Sequence, residues 1–226
     1  MTAAAVHPSP AKQTSTEWRA CSASGLSRLA PVSVLAFAPE ETIYAQEQDA
    51  EFIYEVILGV VRTVKLSPDG RRLVQSFVMP GEVFGLEHAE RHGTSAEAVN
   101  EVWLMRCERG VVQSPALADE RAPSELWALM LLAAESARDR WAFLARASAM
   151  EKVAFFLLEM TERAAAADRL DLAMSRYDIA DYLGLTSETV SRTLTQLRQR
   201  GSIAIEGRSI RLLRPADLRR ISAAPS

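Results

Sequence analysis

The sequence predicts an α+β protein with three structured parts: an N-terminal antiparallel β-roll of jelly-roll type, one long helix, and two short helices followed by a β-hairpin. Two observations support this class. Between about Val32 and Cys107, β-branched and aromatic runs alternate with turn residues, and Gly59, Gly70 and Gly81 recur every eleven residues, as in compact antiparallel sheets. After Pro123 the apolar residues recur instead at intervals of three and four, the period of an α-helix.

The composition of the 226 residues, 48% hydrophobic and 24% charged, is that of a globular protein. Its net charge of −3 is unevenly distributed. Residues 175–226 contain nine Arg and five acidic residues, a net of +4, so the remaining 174 residues carry −7. A basic C-terminal segment on an acidic body is expected where one domain meets phosphate, and Arg favours bidentate contacts.

The cysteine count and the N-terminal sequence indicate the cellular compartment of the protein. Cys21 and Cys107 are the two cysteines, which excludes a disulfide framework and a paired-cysteine metal site. The N-terminus has no charged-then-apolar signal, and no apolar run approaches the ~18 residues of a membrane span. The sequence therefore predicts a cytoplasmic protein without a membrane segment.

The N-terminal half is predicted to contain a tail and the β-roll. Residues 1–30 are rich in Ala, Ser, Pro and Thr, which predicts a mobile tail with a short helix around Trp18 to Leu29; a regulatory arm is the alternative. Residues 31–122 are assigned to the β-roll. Its clearest strands are Thr42–Tyr44, Phe52–Leu58, Val60–Leu66 and Arg72–Val78, with a turn at Ser67–Gly70.

Residues 123–150 are assigned to a dimerisation helix that runs from Pro123 to about Ala149. Its apolar residues follow coiled-coil spacing and are predicted to form a seam between two copies of the chain; packing within one chain is the alternative. The seam residues are Trp127, Met130, Ala134, Ala137, Trp141 and Leu144. Another amphipathic helix is predicted at Val153–Arg163, within the C-terminal segment 151–226.

Two short helices joined by a tight turn are predicted between Ser175 and Leu197. Ser175 and Asp178 form a capping box, which places a helix start at Ser175. Gly184 ends that helix, and Thr186 is suited to cap the next one. In the second helix, Val190, Leu194 and Leu197 share one face, while Glu188, Ser191 and Arg192 share the other.

The outward face of the second helix points to base recognition. A guanidinium can grip O6 and N7 of guanine, a carboxylate can accept from N4 of cytosine, and a hydroxyl can bond to a base or phosphate. Glu188, Ser191 and Arg192 are therefore predicted to read bases in double-stranded DNA, as in helix-turn-helix proteins. An ordinary helical hairpin with a mixed-charge surface is the alternative. Contacts to the DNA backbone are predicted from Ser175, Arg176, Thr186, Ser187, Thr189 and Arg208.

A hairpin is predicted around Glu206-Gly207-Arg208-Ser209, between Ile203–Ile205 and Ile210–Leu213, and it makes the helix-turn-helix winged. A β-roll, a dimer helix and a winged helix-turn-helix together resemble the CRP/FNR family of bacterial transcription regulators. The segments that carry this resemblance most specifically are Asp178–Thr186, Ser187–Arg192, Pro80–Glu87 and Ser95–Val99. The resemblance implies a roll like a cyclic-nucleotide-binding domain, a homodimer, and activation through contact with RNA polymerase.

Residues within these segments favour one branch of the family. Glu188, Ser191 and Arg192 resemble the pattern of the FNR and FixK branch, which reads TTGAT-type half-sites. The cyclic-AMP receptor carries an Arg where this chain has Ser187. It also uses an Arg before a Ser-Ala pair to bind the cyclic phosphate, and here Thr94 holds that place, although Glu82 is retained. Cyclic nucleotide is therefore not the expected effector.

The family has two other kinds of effector, an iron–sulfur cluster and haem, and the residues that bind them can be looked for in this chain. The iron–sulfur cluster of FNR needs about four thiolates, and this chain has two. Haem stays open, because His88 and His92 lie in a loop that supplies ligands in some haem-sensing relatives, although an exposed loop His is more often polar surface. The resemblance therefore implies a FixK-type regulator that has no bound cofactor, is controlled through its abundance, and acts on microaerobic, nitrogen-fixation or denitrification genes.

Two other classes of function are alternatives to a DNA-binding regulator. The first is a small-molecule sensor whose β-roll binds haem or another ligand. The second is an enzyme, which the sequence does not favour. It has no Gly-rich phosphate loop, and its three His all lie at or before position 92, so no catalytic triad can be proposed from spacing. Cys107 ends a predicted strand among apolar neighbours, where a thiol is usually inert, so an inert buried thiol is expected there and an oxidation switch is the alternative.

Overall fold

The computed structural model describes residues 31–86, 89–112, 143–164 and 169–223. The chain forms two compact units, residues 1–117 and 118–226. The predicted tail, residues 1–30, with its short helix, and most of the predicted dimerisation helix, including the seam residues before Leu144, lie outside the described residues. The α+β class, with antiparallel sheets in the N-terminal part and a helix-turn-helix in the C-terminal part, is confirmed.

The first unit is built from two four-stranded antiparallel sheets. One has the order β1-β8-β3-β6 and the other β2-β7-β4-β5. The strands are β1 (Ser33–Phe37), β2 (Thr42–Tyr44), β3 (Phe52–Leu58), β4 (Val61–Leu66), β5 (Arg72–Val78), β6 (Val83–Phe84), β7 (Ser95–Ala98) and β8 (Val102–Glu108), followed by helix α1 (Arg109–Val112). Three of the four strands named from the sequence have the predicted bounds, and β4 begins one residue later.

The core of this unit lies between the two sheets, because alternate residues of each strand face the same side. Tyr54 and Val56 of β3 and Leu104 of β8 contribute from one sheet, and Val61 and Ala96 contribute from the other. The connection from β3 to β4 passes from sheet to sheet at Gly59, whose φ is +87°. A Cβ there would lie 2.2 Å from the carbonyl oxygen of Glu101, so this crossing requires glycine.

The second unit contains helices α2 (Ala149–Arg163), α3 (Arg176–Leu183), α4 (Ser187–Gln199) and α5 (Pro215–Ser222). Strands β10 (Ile203–Glu206) and β11 (Ser209–Leu212) form the predicted hairpin. A strand that the sequence did not predict, β9 (Arg169–Asp171), pairs with β11 and completes a three-stranded sheet. The fully buried side chains of this unit include Phe156 and Met160 of α2, Leu183 of α3, Leu197 of α4 and Leu218 of α5.

The predicted extent of the long helix is wrong at its C-terminal end. Residues 143–146 are helical, but Ala147 and Ser148 are not, so the helix ends before them. Ala149 is already the first residue of α2. Ser148 accepts from the N–H of Glu151, whose carboxylate accepts from Ser148 in return, so this capping box starts a new helix. For the same reason the helix predicted from Val153 begins four residues earlier.

Candidate nucleic-acid interface

Helix α3 begins where the sequence predicts, at a capping box. The hydroxyl of Ser175 accepts from the N–H of Asp178 at 3.1 Å, and the Asp178 carboxylate accepts from the Ser175 hydroxyl at 2.6 Å. Asp178 is 4% exposed, whereas Ser175 is exposed, so the bond lies at the edge of the folded core. The start of the first interface helix is thereby fixed to one residue.

The turn between α3 and α4 is also fixed by local chemistry. Gly184 ends α3 in the left-handed conformation, with φ 62° and ψ 45°. The N–H of Leu185 then donates to the carbonyl of Ala180 at 2.9 Å, which closes the C-terminus of α3. Thr186 caps α4 by accepting from the N–H of Thr189 at 3.2 Å. Three residues therefore join the two helices, with Gly184 and Thr186 in the roles that the sequence predicts.

Helix α4 has one buried face and one exposed face. Val190, Leu194 and Leu197 are between 0 and 3% exposed and pack inward. Glu188, Ser191 and Arg192 are exposed and lie on the opposite side. The three predicted base-reading side chains are therefore neighbours on one open helical surface, and their role in reading bases stays a prediction.

The charge of Glu188 is stabilised by its position at the start of α4. A hydrogen bond from its own backbone N–H, hydrogen bonds from Thr186 and Ser187, and the positive charge of Arg192 together lower the pKa of the Glu188 carboxyl. Ser191, on the same surface, donates its hydroxyl to the carbonyl of Ser187 at 2.8 Å. The face thus combines a carboxylate and a hydroxyl oxygen that accept with one guanidinium that donates.

The six residues predicted to contact the DNA backbone differ in how they are held. The hydroxyl of Ser175 is engaged in its capping box, and those of Thr186 and Thr189 lie 2.9 Å apart. Ser187 is half-buried at the first position of α4. Arg176 is half-buried too, burial lowers the pKa of its guanidinium, and its Nη1 is buried without a hydrogen-bond acceptor among the described residues.

Arg208, the sixth predicted backbone contact, is at the tip of the β10–β11 hairpin but turns back toward the protein. Its Nε donates to the carbonyl of Leu172 at 3.2 Å, and its Nη2 donates to the carbonyl of Ala173. The side chain therefore fastens the hairpin to the segment before α3. The sequence could not indicate this, because the partners are backbone atoms 36 and 35 residues away.

Two residues of this surface were missed by the sequence analysis. Tyr177, in the first turn of α3, is 73% exposed. Thr195 lies on the outward face of α4, one turn beyond Ser191, and donates its hydroxyl to the Ser191 carbonyl at 3.0 Å. Helical spacing was the signal that would have found Thr195, since it is four residues from Ser191 and three from Arg192.

The β-roll differs from a nucleotide site at the positions that the sequence singled out. Glu82 accepts from the N–H of Met79 at 2.9 Å, which closes the turn before β6. Thr94 is half-buried and offers no cation to a phosphate. His92 is 2% exposed and stacks on Tyr44 with ring centroids 3.6 Å apart, so the expectation of an exposed loop histidine is wrong. His88 lies outside the described residues.

Aromatic rings fill the region next to His92. Tyr44, Tyr54 and Phe84 are each 2 to 6% exposed, and the ring centroids of Tyr54 and Phe84 are 5.2 Å apart.

Cys107, predicted to be inert, is buried on β8, and burial raises the pKa of its thiol. Within the described ranges no group of three or more His, Cys, Asp or Glu is arranged to hold a metal ion, and no helix there has the length and apolarity to span a membrane.

The chain is similar to known proteins over both units. Its residues 151–221 match the Crp-like helix-turn-helix domain family, and residues 34–114 match the cyclic nucleotide-binding domain family. The nitrogen fixation regulation protein FixK of Azorhizobium caulinodans is 40% identical over 230 residues, which cover 96% of this chain and 92% of that protein. FixK of Rhizobium meliloti is 42% identical over 190 residues, covering 84% and 87%. The structure of FixK2 from Bradyrhizobium japonicum matches with a TM-score of 0.81 at 40% identity, covering 87% of this chain and all of that one.

Proposed function

Because this chain belongs to the CRP/FNR family of transcription regulators, in its FixK branch, we propose that it acts as a homodimer that recognises TTGAT-type palindromic sites. As a family member it is a DNA-binding regulator and not an enzyme. The observation that carries the finer proposal is the exposed trio Glu188, Ser191 and Arg192 on α4, opposite a fully buried face.

Base reading is proposed to divide between one donor and two acceptors. Arg192 donates two hydrogen bonds to O6 and N7 of a guanine, which is the commonest specific contact in the major groove. Glu188 is ionised at neutral pH, as a glutamate of ordinary pKa is, so it can accept from a base amino group such as N4 of cytosine. The hydrogen bonds at the start of α4 lower its pKa further and so favour the charged form. Ser191 adds a hydroxyl oxygen beside them.

Contacts to phosphate set the register of α4 in the groove. Arg176 is a candidate because it places a half-buried guanidinium at the first position of α3, and a guanidinium can bond a phosphate through two N–H groups. The N-terminus of α4, with Ser187 and Thr189 in its first turn, adds backbone N–H groups and a positive helix dipole. Arg208 contacts phosphate only if its bonds to the carbonyls of residues 172 and 173 leave donors free.

Two copies of the chain are proposed to pair through the seam of the long helix. Of the six seam residues, Leu144 lies within the described residues. Coiled-coil spacing supports it, and a two-fold dimer would present two α4 helices to half-sites about one DNA turn apart. Sedimentation equilibrium tests this: the wild type should have twice the chain mass, and M130E should shift it toward the monomer. A wild type that sediments as a monomer while bound to a palindromic site would contradict the proposal.

No bound cofactor is needed for the proposed activity. Thr94 in place of a cation and the packed rings of Tyr44, Tyr54 and Phe84 support a roll without a small-molecule effector. The alternative, a haem or other ligand sensor, predicts a Soret band or a ligand-dependent affinity for DNA. A colourless protein that binds DNA at full affinity would contradict the haem-sensor alternative.

The biological role is proposed from the relatives, whose names describe regulation of nitrogen fixation. We expect a cytoplasmic activator of microaerobic, nitrogen-fixation or denitrification genes that contacts RNA polymerase. The decisive experiment is selection of bound sequences from a random DNA pool. Enrichment of a TTGAT palindrome supports both the branch and the dimer, whereas enrichment of a single half-site, or of no sequence, would overturn the finer proposal.

A further inference from the structure

A ladder of hydroxyl groups runs along the outward side of α4. Ser191 donates its proton to the carbonyl of Ser187 at 2.8 Å, and Thr195 donates its proton to the carbonyl of Ser191 at 3.0 Å. A hydroxyl has a single proton, so both donors are committed to the helix backbone. The groups left to meet a bound surface are oxygen lone pairs and the methyl group of Thr195.

Thr195 occupies the middle of the outward face. It follows Glu188 by seven residues, Ser191 by four and Arg192 by three, which are the intervals that align side chains along one stripe of a helix. Its two chain neighbours behave differently: Leu194 is buried, and the side chain of Gln196 is exposed beside the stripe. Thr195 is itself half-buried, and its position beside Arg192 places it against the same stretch of a surface that α4 would contact.

The committed hydroxyl limits what Thr195 can recognise. A phosphate oxygen is an acceptor and would need a donor, which this hydroxyl does not offer while it bonds to Ser191. The major groove presents one apolar group, the C5-methyl of thymine, and a threonine methyl is a suitable partner for it. The hydroxyl bond holds one rotamer, so the methyl is presented in a fixed direction.

We propose that Thr195 is a further specificity residue, whose methyl group recognises the C5-methyl of a thymine next to the base pair contacted by Arg192. The inference rests on the proposed function, because it requires α4 to lie in the major groove. It extends base reading beyond Glu188, Ser191 and Arg192 by a contact that involves no hydrogen bond.

Uracil substitution in the DNA tests the proposal directly, since uracil differs from thymine only by the missing methyl. Each thymine of the selected half-site is replaced in turn, and affinity is measured by fluorescence anisotropy with the full-length protein. For the wild type, one position should lose affinity about fourfold, the effect of one buried methyl group. Thr195→Ser, which keeps the hydroxyl and removes the methyl, should bind the thymine and uracil duplexes equally.

Thr195→Val is the matched control, because it keeps a methyl and removes the hydroxyl, and it should retain the preference for thymine. The proposal is overturned by a wild type that is indifferent to every substitution, by a selected half-site without thymine, by T195S that retains the wild-type preference, or by T195V that loses it. Other results would contradict the proposed function itself and not only the role of Thr195. These are a selection that enriches no sequence, or an R192A variant that binds the enriched sequence as tightly as the wild type. Thermal melts confirm that each variant is folded.

Discussion

Arg62 and Glu97 lie opposite each other on β4 and β7, and the Nε of Arg62 donates to Oε2 of Glu97 at 2.7 Å. The Arg62 side chain is 8% exposed, and the carboxylate of Glu40 accepts from it as well. Glu40 reaches this position from a turn in which its own φ is +66°. A buried cation between two carboxylates therefore ties β4 to β7 and to the turn between β1 and β2.

Removing one charge from this pair should destabilise the β-roll. We expect E97Q to lower the free energy of unfolding by about 2 kcal/mol, because it leaves a buried guanidinium with less compensation. The control is R71Q, which breaks an ion pair of nearly equal length, 2.6 Å to Asp69, in which Arg71 is 84% exposed. It should change stability by less than about 0.5 kcal/mol in urea denaturation. Equal losses would mean that burial does not decide the strength of these pairs.

Gly59 should tolerate a side chain far less well than Gly70. Both have positive φ, +87° and +80°, but a Cβ on Gly59 would lie 2.2 Å from a backbone oxygen while one on Gly70 meets nothing within 4 Å. G70A should therefore cost about 1 kcal/mol for its conformation alone, and G59A at least about 2 kcal/mol more. Urea denaturation of both variants measures the difference. Similar losses would show that the crossing between the sheets adapts to the extra atom.

Local chemistry made the candidate interface predictable. The cap at Ser175, the left-handed Gly184 and the cap at Thr186 each depend on residues within four positions, so the sequence alone determines them. The faces of α4 follow from helical period in the same way. These elements were predicted to the residue.

What the sequence missed depends on contacts between distant residues. Strand β9 has three residues, and its identity as a strand comes from pairing with β11. His92, in the segment before β7, is buried where it stacks on Tyr44 of β2, 48 residues earlier in the chain. The cap at Ser148 is a different case, because its capping box is visible in the sequence. The two helices were predicted as separate from their apolar spacing, which gives the helical period but does not fix where one helix ends and the next begins.

Arg192 should control specificity more than affinity for DNA in general. R192A should weaken binding to the selected site by about 1–3 kcal/mol and relax the guanine preference, because it removes a bidentate contact. R192K keeps the charge without the planar fork, so it should also lose the guanine preference. R200A, an exposed arginine at the end of α4, is the control and should not change base preference. An equal loss for R192A on random DNA would contradict the assignment.

The stability of the β-roll should fall at alkaline pH because of Tyr54. Burial, opposed in part by the positive charge of Arg106, raises the pKa of its phenol from 10.0 to about 12. The folded protein therefore keeps this proton at a pH at which the unfolded chain has released it, and unfolding becomes progressively easier above pH 10. The contribution is complete below pH 10 and is lost as the pH rises through 12.

Y54F removes this ionisation and should flatten the pH dependence. Between pH 8 and 11 the wild type should lose about 1 kcal/mol relative to Y54F, whatever their difference at pH 8. Urea denaturation at intervals across this range gives the two slopes. Y177F is the matched control, because it removes a tyrosine that is 73% exposed, and it should follow the wild-type slope. Parallel slopes for the wild type and Y54F would mean that the phenol of Tyr54 is as free to ionise in the folded protein as in the unfolded chain.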